Sequence, residues 1–91
     1  AFMAAHGIDD DVDRALEGAA AVYVAFDVDV LAPGEVACFM PEPGGPMLGE
    51  ALDVLRRIAG SGIPVAGAGF TGLRPEADPE ALVSLATALG L

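Results

Sequence analysis

Hydrophobic and polar positions fall into two periods along this chain, and they predict three helices and two strands. Residues 9–18, "DDDVDRALEG", set acidic side chains at the start of a helical pattern and Gly18 just past its end. Acids suit the electropositive first turn of a helix, and glycine suits its exit. Residues 20–28, "AAVYVAFDV", form an apolar run with β-branched and aromatic members. That pattern predicts a strand buried on both faces, as in parallel sheets. Residues 47–59, "MLGEALDVLRRIA", place Leu48, Ala51, Leu52, Leu55 and Ile58 on one helical face. Arg56 and Arg57 stand near the end of this helix, with Gly60 and Gly62 after it. Residues 63–70, "IPVAGAGF", predict a second short strand, with Pro64 tolerated near its start. Residues 78–91, "DPEALVSLATALGL", predict a last helix with Asp78 as N-cap and Pro79 in the first helical position. Its expected apolar stripe is Leu82, Leu85, Ala86 and Leu89.

Strands alternating with helices predict βαβ units and a parallel sheet, which needs helices on both faces. The expected fold is therefore α/β, part of a three-layer α/β/α sandwich with a parallel sheet. Two strands and three helices do not complete such a core. Composition agrees. The chain has 91 residues, 54% of them hydrophobic, with 12 glycines besides. Apolar residues and glycine together make about 45–50% of ordinary soluble proteins. A domain this small has much surface for its volume and cannot easily bury such an excess. The longest apolar run, "GAAAVYVAF", stops at Asp27, short of the ~20 residues a membrane helix needs. No stretch reads as a signal peptide. Residues 1–91 are thus expected to be one incomplete segment of a larger domain.

The net charge is −10, with four arginines and no lysine. Such a chain has no basic patch to neutralise phosphates, which argues against nucleic-acid binding. The acidic surplus suits cations or cationic substrates, and it equally serves as a solubilising surface. One cysteine, Cys38, excludes an internal disulfide and points to a cytoplasmic protein.

The chemistry concentrates where the first strand ends. In an extended chain, residues i and i+2 point to the same side, so Asp27 and Asp29 are expected to project together. Two metals of a dinuclear site lie about 3.5–4 Å apart, and paired carboxylates can converge on them. Open α/β sheets build their sites at the C-terminal ends of strands. Oxygen ligands suit manganese or magnesium. Two acids at a strand end can also simply mark where the chain meets water.

Other features carry less. "GAGFTG", residues 67–72, matches G-x-G-x-x-G after a strand, but the prolines of "LRPEADP" oppose the helix that a dinucleotide site requires. "DDDVD", residues 9–13, lacks the glycine and glutamate of a calcium loop and reads as a helix start. His6 reads as an ordinary surface or partly buried residue, and Cys38 reads as loop packing. Glu42, between two prolines, either steers a cationic substrate or fixes the loop; the second reading is preferred.

Residues 22–45, "VYVAFDVDVLAPGEVACFMPEPGG", closely resemble the ureohydrolases: arginases, agmatinases and formiminoglutamases. There, a strand ends in a pattern like S-F-D-x-D-x-x-D-P and a loop ending in P-E-P-G-G follows. The next helix of that family often reads like "EALDVLRRIAG". The resemblance runs from about Asp13 to the end of the chain. It implies the C-terminal segment of a binuclear manganese hydrolase on a three-layer α/β/α fold. Such an enzyme splits the guanidino or formimino C–N bond of a small cationic substrate such as arginine or agmatine. By similarity, Asp27 and Asp29 match two carboxylate ligands of the manganese pair. The resemblance assigns no catalytic residue and no substrate-binding residue here, and it implies a homo-oligomer, trimeric or hexameric.

Three departures qualify that expectation. The family's third motif aspartate is Ala32, which removes a polar anchor from the loop. The glutamate that meets the substrate in the family, in a stretch like D-V-V-E-V-N-P, is Gly72. The family's earlier histidine and D-x-H-x-D ligands are absent from this sequence. The isolated chain is therefore expected to be inactive. A non-catalytic relative serving as an assembly or binding module is the alternative, and an unrelated small α/β binding domain is a third possibility. The sequence upstream of Ala1 would separate the first two.

Overall fold

The computed structural model describes residues 5–91. It holds α1 (Ile8–Leu16), β1 (Val22–Asp27), a single 3-10 turn (Val28–Val30), α2 (Leu48–Ala59), β2 (Val65–Thr71) and α3 (Pro79–Ala88). The strands pair in parallel, from Val22 opposite Val65 to Asp27 opposite Thr71, with one irregularity between Val22 and Tyr23. Parallel strands need a crossover, and α2 supplies it. The predicted βαβ unit forms. No helix among the described residues is long and apolar enough to cross a membrane.

The core lies between the sheet and the helices. Val28, Leu31, Leu55 and Leu85 are withdrawn from solvent. Leu48, Leu52 and Ile58 pack partly buried around Ala51 and Leu55, so α2 buries the stripe its pattern predicts. Glutamate, aspartate and arginine fill its other side, which fixes the rotation of the helix.

Two expectations are corrected. β1 is not buried on both faces: Val24 is buried, whereas Tyr23 is 64% exposed on the opposite side. The reason is that the helices gather on one side of the sheet. Ala51, Leu55, Leu85 and Ala88 share one core cluster with Val24, and Ile8 of α1 lines a cavity with Val24 and Phe26. Among the described residues the other face is open, so the chain forms two layers of the expected three.

The α3 stripe is also rotated. Leu85, Ala88 and Leu89 are buried with Ala81 packed beside them, while Leu82 and Val83 are exposed. This helix is apolar nearly all round, so its pattern does not choose a face. Its start is as predicted: Asp78 accepts a hydrogen bond from the Glu80 N–H at 3.0 Å, with Pro79 in the first turn.

Helix α1 is tied to α2 by charge. The Arg57 guanidinium donates to both Asp13 oxygens, at 3.1 and 2.7 Å. That hydrogen bond holds the Asp13 carboxyl below its ordinary value. Because the folded value is depressed, the contribution is complete above the ordinary aspartate range and is lost as pH falls through the depressed value. A carbon-13 titration should give Asp13 a midpoint below the ordinary aspartate value, and Arg57→Met should return it upward. An unchanged midpoint in the variant would contradict the pairing. Because both groups are exposed, salt will weaken the tie.

Candidate functional site

β1 ends at Asp27, and its side chain begins the next element. Asp27 Oδ1 accepts the Asp29 N–H at 3.0 Å, which caps the 3-10 turn. The turn, rather than an extended strand, therefore sets the direction of Asp29. The strand alternation expected to bring the two carboxylates together therefore does not apply, because Asp29 lies in the turn and not in β1. They nonetheless meet. A Cβ placed on Gly72, at the tip of β2, would lie 2.5 Å from Asp27 Oδ1 and 3.0 Å from Asp29 Oδ1. One point at the C-terminal end of the sheet is thus close to both carboxylates.

The loop after the turn is held by backbone. Ala32 N–H donates to the Pro46 carbonyl at 2.9 Å, and Glu42 N–H donates to the Leu31 carbonyl at 3.0 Å. Gly45 N–H closes the "PEPGG" turn on the Glu42 carbonyl at 2.9 Å. A Cβ on Gly45 would strike the Val30 carbonyl, so only glycine lets this loop approach the turn that carries Asp29. Glu42 fixes the loop through its main chain, and its side chain is exposed.

The sequence reading missed Glu35. Its Oε1 accepts the Leu48 N–H at 2.6 Å, on the first residue of α2. Glu50 Oε1 accepts the Met47 N–H at 3.2 Å at the same helix end. The loop that lost polar anchoring at Ala32 is thus pinned to a helix start by Glu35, where an acid is electrostatically favoured. No local signal marks a partner 13 residues away.

Residues 37–40 fold back along the strand tip. Phe39 N–H donates to the Gly72 carbonyl at 3.2 Å, and Arg74 N–H to the Ala37 carbonyl at 3.0 Å. Met40 N–H donates to Asp29 Oδ1 at 3.2 Å. Cys38 is buried between these bonds. Burial pushes its thiol up, and a hydrogen bond to Asp29 adds to the shift. The thiol is a packing group, as expected.

Each aspartate spends Oδ1 on a backbone N–H, and a carboxylate keeps further lone pairs for a cation. The donors are hard oxygens, which fits manganese or magnesium. Among the described residues no three His, Cys, Asp or Glu side chains gather into a metal-holding group. The two aspartates fit as part of a metal site and do not complete a dinuclear one. His6 is exposed ahead of α1, and Asp9 to Asp13 lie within α1. Gly67 to Gly72 run through β2 to its end, and the next helix starts only at Pro79, so no helix N-terminus meets that turn.

The family model of the arginase family matches residues 2–90. The chain belongs to the arginase family. Solved structures of the same fold include arginase from Bacillus subtilis, at 21% identity and TM-score 0.78 over 96% of this chain. Proclavaminate amidino hydrolase from Streptomyces clavuligerus matches at 29% identity and TM-score 0.68 over 97% of this chain. A hypothetical agmatinase from Burkholderia thailandensis matches at 26% identity and TM-score 0.65 over 96%. The chain spans only 34%, 30% and 28% of those three proteins respectively. No curated protein sequence matches it. The arginase-family fold expected from the "FDVD" and "PEPGG" stretches is what the chain adopts.

Proposed function

We propose that residues 1–91 are the C-terminal segment of a ureohydrolase that cleaves the guanidino or formimino C–N bond of a small substrate. In this reading Asp27 and Asp29 are carboxylate ligands to a pair of manganese ions. The observation that carries it is the approach of both carboxylates to one point beside Gly72, at the strand tips of an arginase-family sheet. When bound, such cations would lower the pKa of a coordinated water to near neutrality and so supply a nucleophile. The chain's own contribution is positional. Asp27 caps the turn, the Met40 amide holds Asp29, and the Gly45 loop keeps the turn in place. The remaining ligands would come from the rest of the domain. A cytoplasmic location and a homo-oligomeric parent belong to the same reading, supported by the lone reduced cysteine and the family resemblance.

Manganese titration tests the assignment. Paramagnetic broadening is expected in amide signals of residues 27–29, 38–40 and 72, at millimolar metal. The double variant Asp27→Asn, Asp29→Asn should lose it. Broadening that survives the double substitution would overturn the assignment. The same chain should release no urea from arginine or agmatine with manganese present.

One observation favours a second reading. Position 72 has a left-handed backbone, and a side chain there would press on both aspartate carboxylates, so the substrate-contacting glutamate expected from the family resemblance could be restored only by displacing them. A non-catalytic relative with a retained fold would tolerate this. Turnover by the intact parent protein excludes that reading, and an inert parent that still binds manganese supports it.

A further inference from the structure

Residues 32–35 read "APGE", with proline and glycine in the two central positions of a tight turn. The Glu35 N–H closes that turn on the Ala32 carbonyl at 3.3 Å, and Gly34 takes a left-handed φ of +89°. The turn delivers the Glu35 side chain to the start of α2, where Oε1 accepts the Leu48 N–H at 2.6 Å. Met47, in the N-cap position, has no side-chain oxygen with which to cap that end. Glu35 thus serves as a cap supplied by the loop, with its charge at the electropositive end of the helix.

The same loop carries the groups that aim Asp29. The Asp29 N–H bonds to Asp27, which fixes the main chain of the turn and leaves the Asp29 carboxylate to be oriented by something else. Two groups of residues 38–40 do so: the Met40 N–H, 3.2 Å from Asp29 Oδ1, and the Cys38 thiol. Val36 and Cys38 are buried, so the chain from Glu35 to Met40 has little freedom once its near end is fixed. The Phe39 and Arg74 amides tie the far side of this segment to the end of β2, and Glu35 ties the near side to α2. The Glu35 tie is made by a side chain, so a substitution can remove it without altering the main chain.

We propose that Glu35 is a positioning residue for the metal ligand Asp29: by pinning the loop to α2 it keeps the Met40 amide and the Cys38 thiol on the Asp29 carboxylate, and so sets how tightly the aspartate pair holds a divalent cation. The inference rests on the proposed metal-site reading. Glu35 acts through Met40 and Cys38, and groups that orient a ligand without touching the metal carry about tenfold or more of the metal affinity.

Amide hydrogen exchange of the metal-free chain tests the link through the loop, and manganese broadening tests its consequence. Glu35→Ala is expected to speed exchange at the Met40 amide while the Leu55 amide, in the buried middle of α2, keeps its protection. The same variant should bind manganese about tenfold more weakly, read from broadening at residues 27–29. Glu35→Gln keeps an acceptor and should recover most of both effects. Glu50→Ala removes the other side-chain bond at this helix end, the one to the Met47 N–H, and should leave Met40 exchange as in the wild type. Unchanged Met40 exchange in Glu35→Ala overturns the inference. An equal change in Glu50→Ala also overturns it, since Glu35 would then stabilise the helix alone. Faster Met40 exchange with unaltered manganese affinity does the same. A wild-type chain that shows no manganese broadening fails the metal assignment and not the loop link, which Met40 exchange still decides.

Discussion

Replacing Gly72 with glutamate should damage the site rather than restore a substrate contact. The position has φ +83°, and a Cβ there would press on Asp27 Oδ1 and on Asp29 Oδ1 and Cγ. The left-handed conformation alone costs a non-glycine residue roughly 1–2 kcal/mol. For a domain of this size that is a fall of roughly 5–15 °C in melting temperature. The new carboxylate would also bring a third negative charge against two others, so glutamate should be worse than alanine. Thermal unfolding followed by circular dichroism should rank wild type above Gly72→Ala, and Gly72→Glu last. Manganese broadening near residues 27–29 should weaken in both variants through displacement of the ligands. A Gly72→Glu chain as stable as wild type would mean that the carboxylates do not sit where the structure puts them.

Leu85→Ala should be the most damaging single truncation in α3. Leu85 is fully buried and belongs to the main core cluster. Removing a buried leucine side chain costs about 2–5 kcal/mol, by lost transfer energy and the cavity left behind. Small domains are stable by only about 5–15 kcal/mol, so urea denaturation should show a large fall in midpoint. Leu82→Ala, three residues earlier and 39% exposed, is the control. It should cost no more than about 1 kcal/mol. Equal losses at the two positions would mean that α3 is rotated from the observed packing.

These two residues also show where the sequence stops specifying the fold. In α2, Glu50, Asp53, Arg56 and Arg57 occupy one side, so a single apolar stripe remains and its burial is readable. In α3, Leu82, Val83 and Ala86 compete with Leu85, Ala88 and Leu89, and only packing against α2 and the sheet decides. The strand tip follows the same rule. The D-x-D spacing marks the right place, but the turn that aims Asp29 depends on a cap made by Asp27 itself. Glu35 bonds to a residue 13 positions away and Arg74 lies over a ring 35 positions away, and nothing local announces either. The open sheet face was hidden for another reason. An apolar run looks the same whether its second cover lies within the chain or outside it.

That face has a practical consequence. Tyr23 lies across it, with its ring close to Gly67 and Gly69, and it is the chain's only tyrosine in a sequence without tryptophan. Excitation near 280 nm will therefore report on one known location. A macromolecule laid over the bare strands will shield that phenol from a small soluble quencher, so complex formation can be followed by fluorescence without an attached dye.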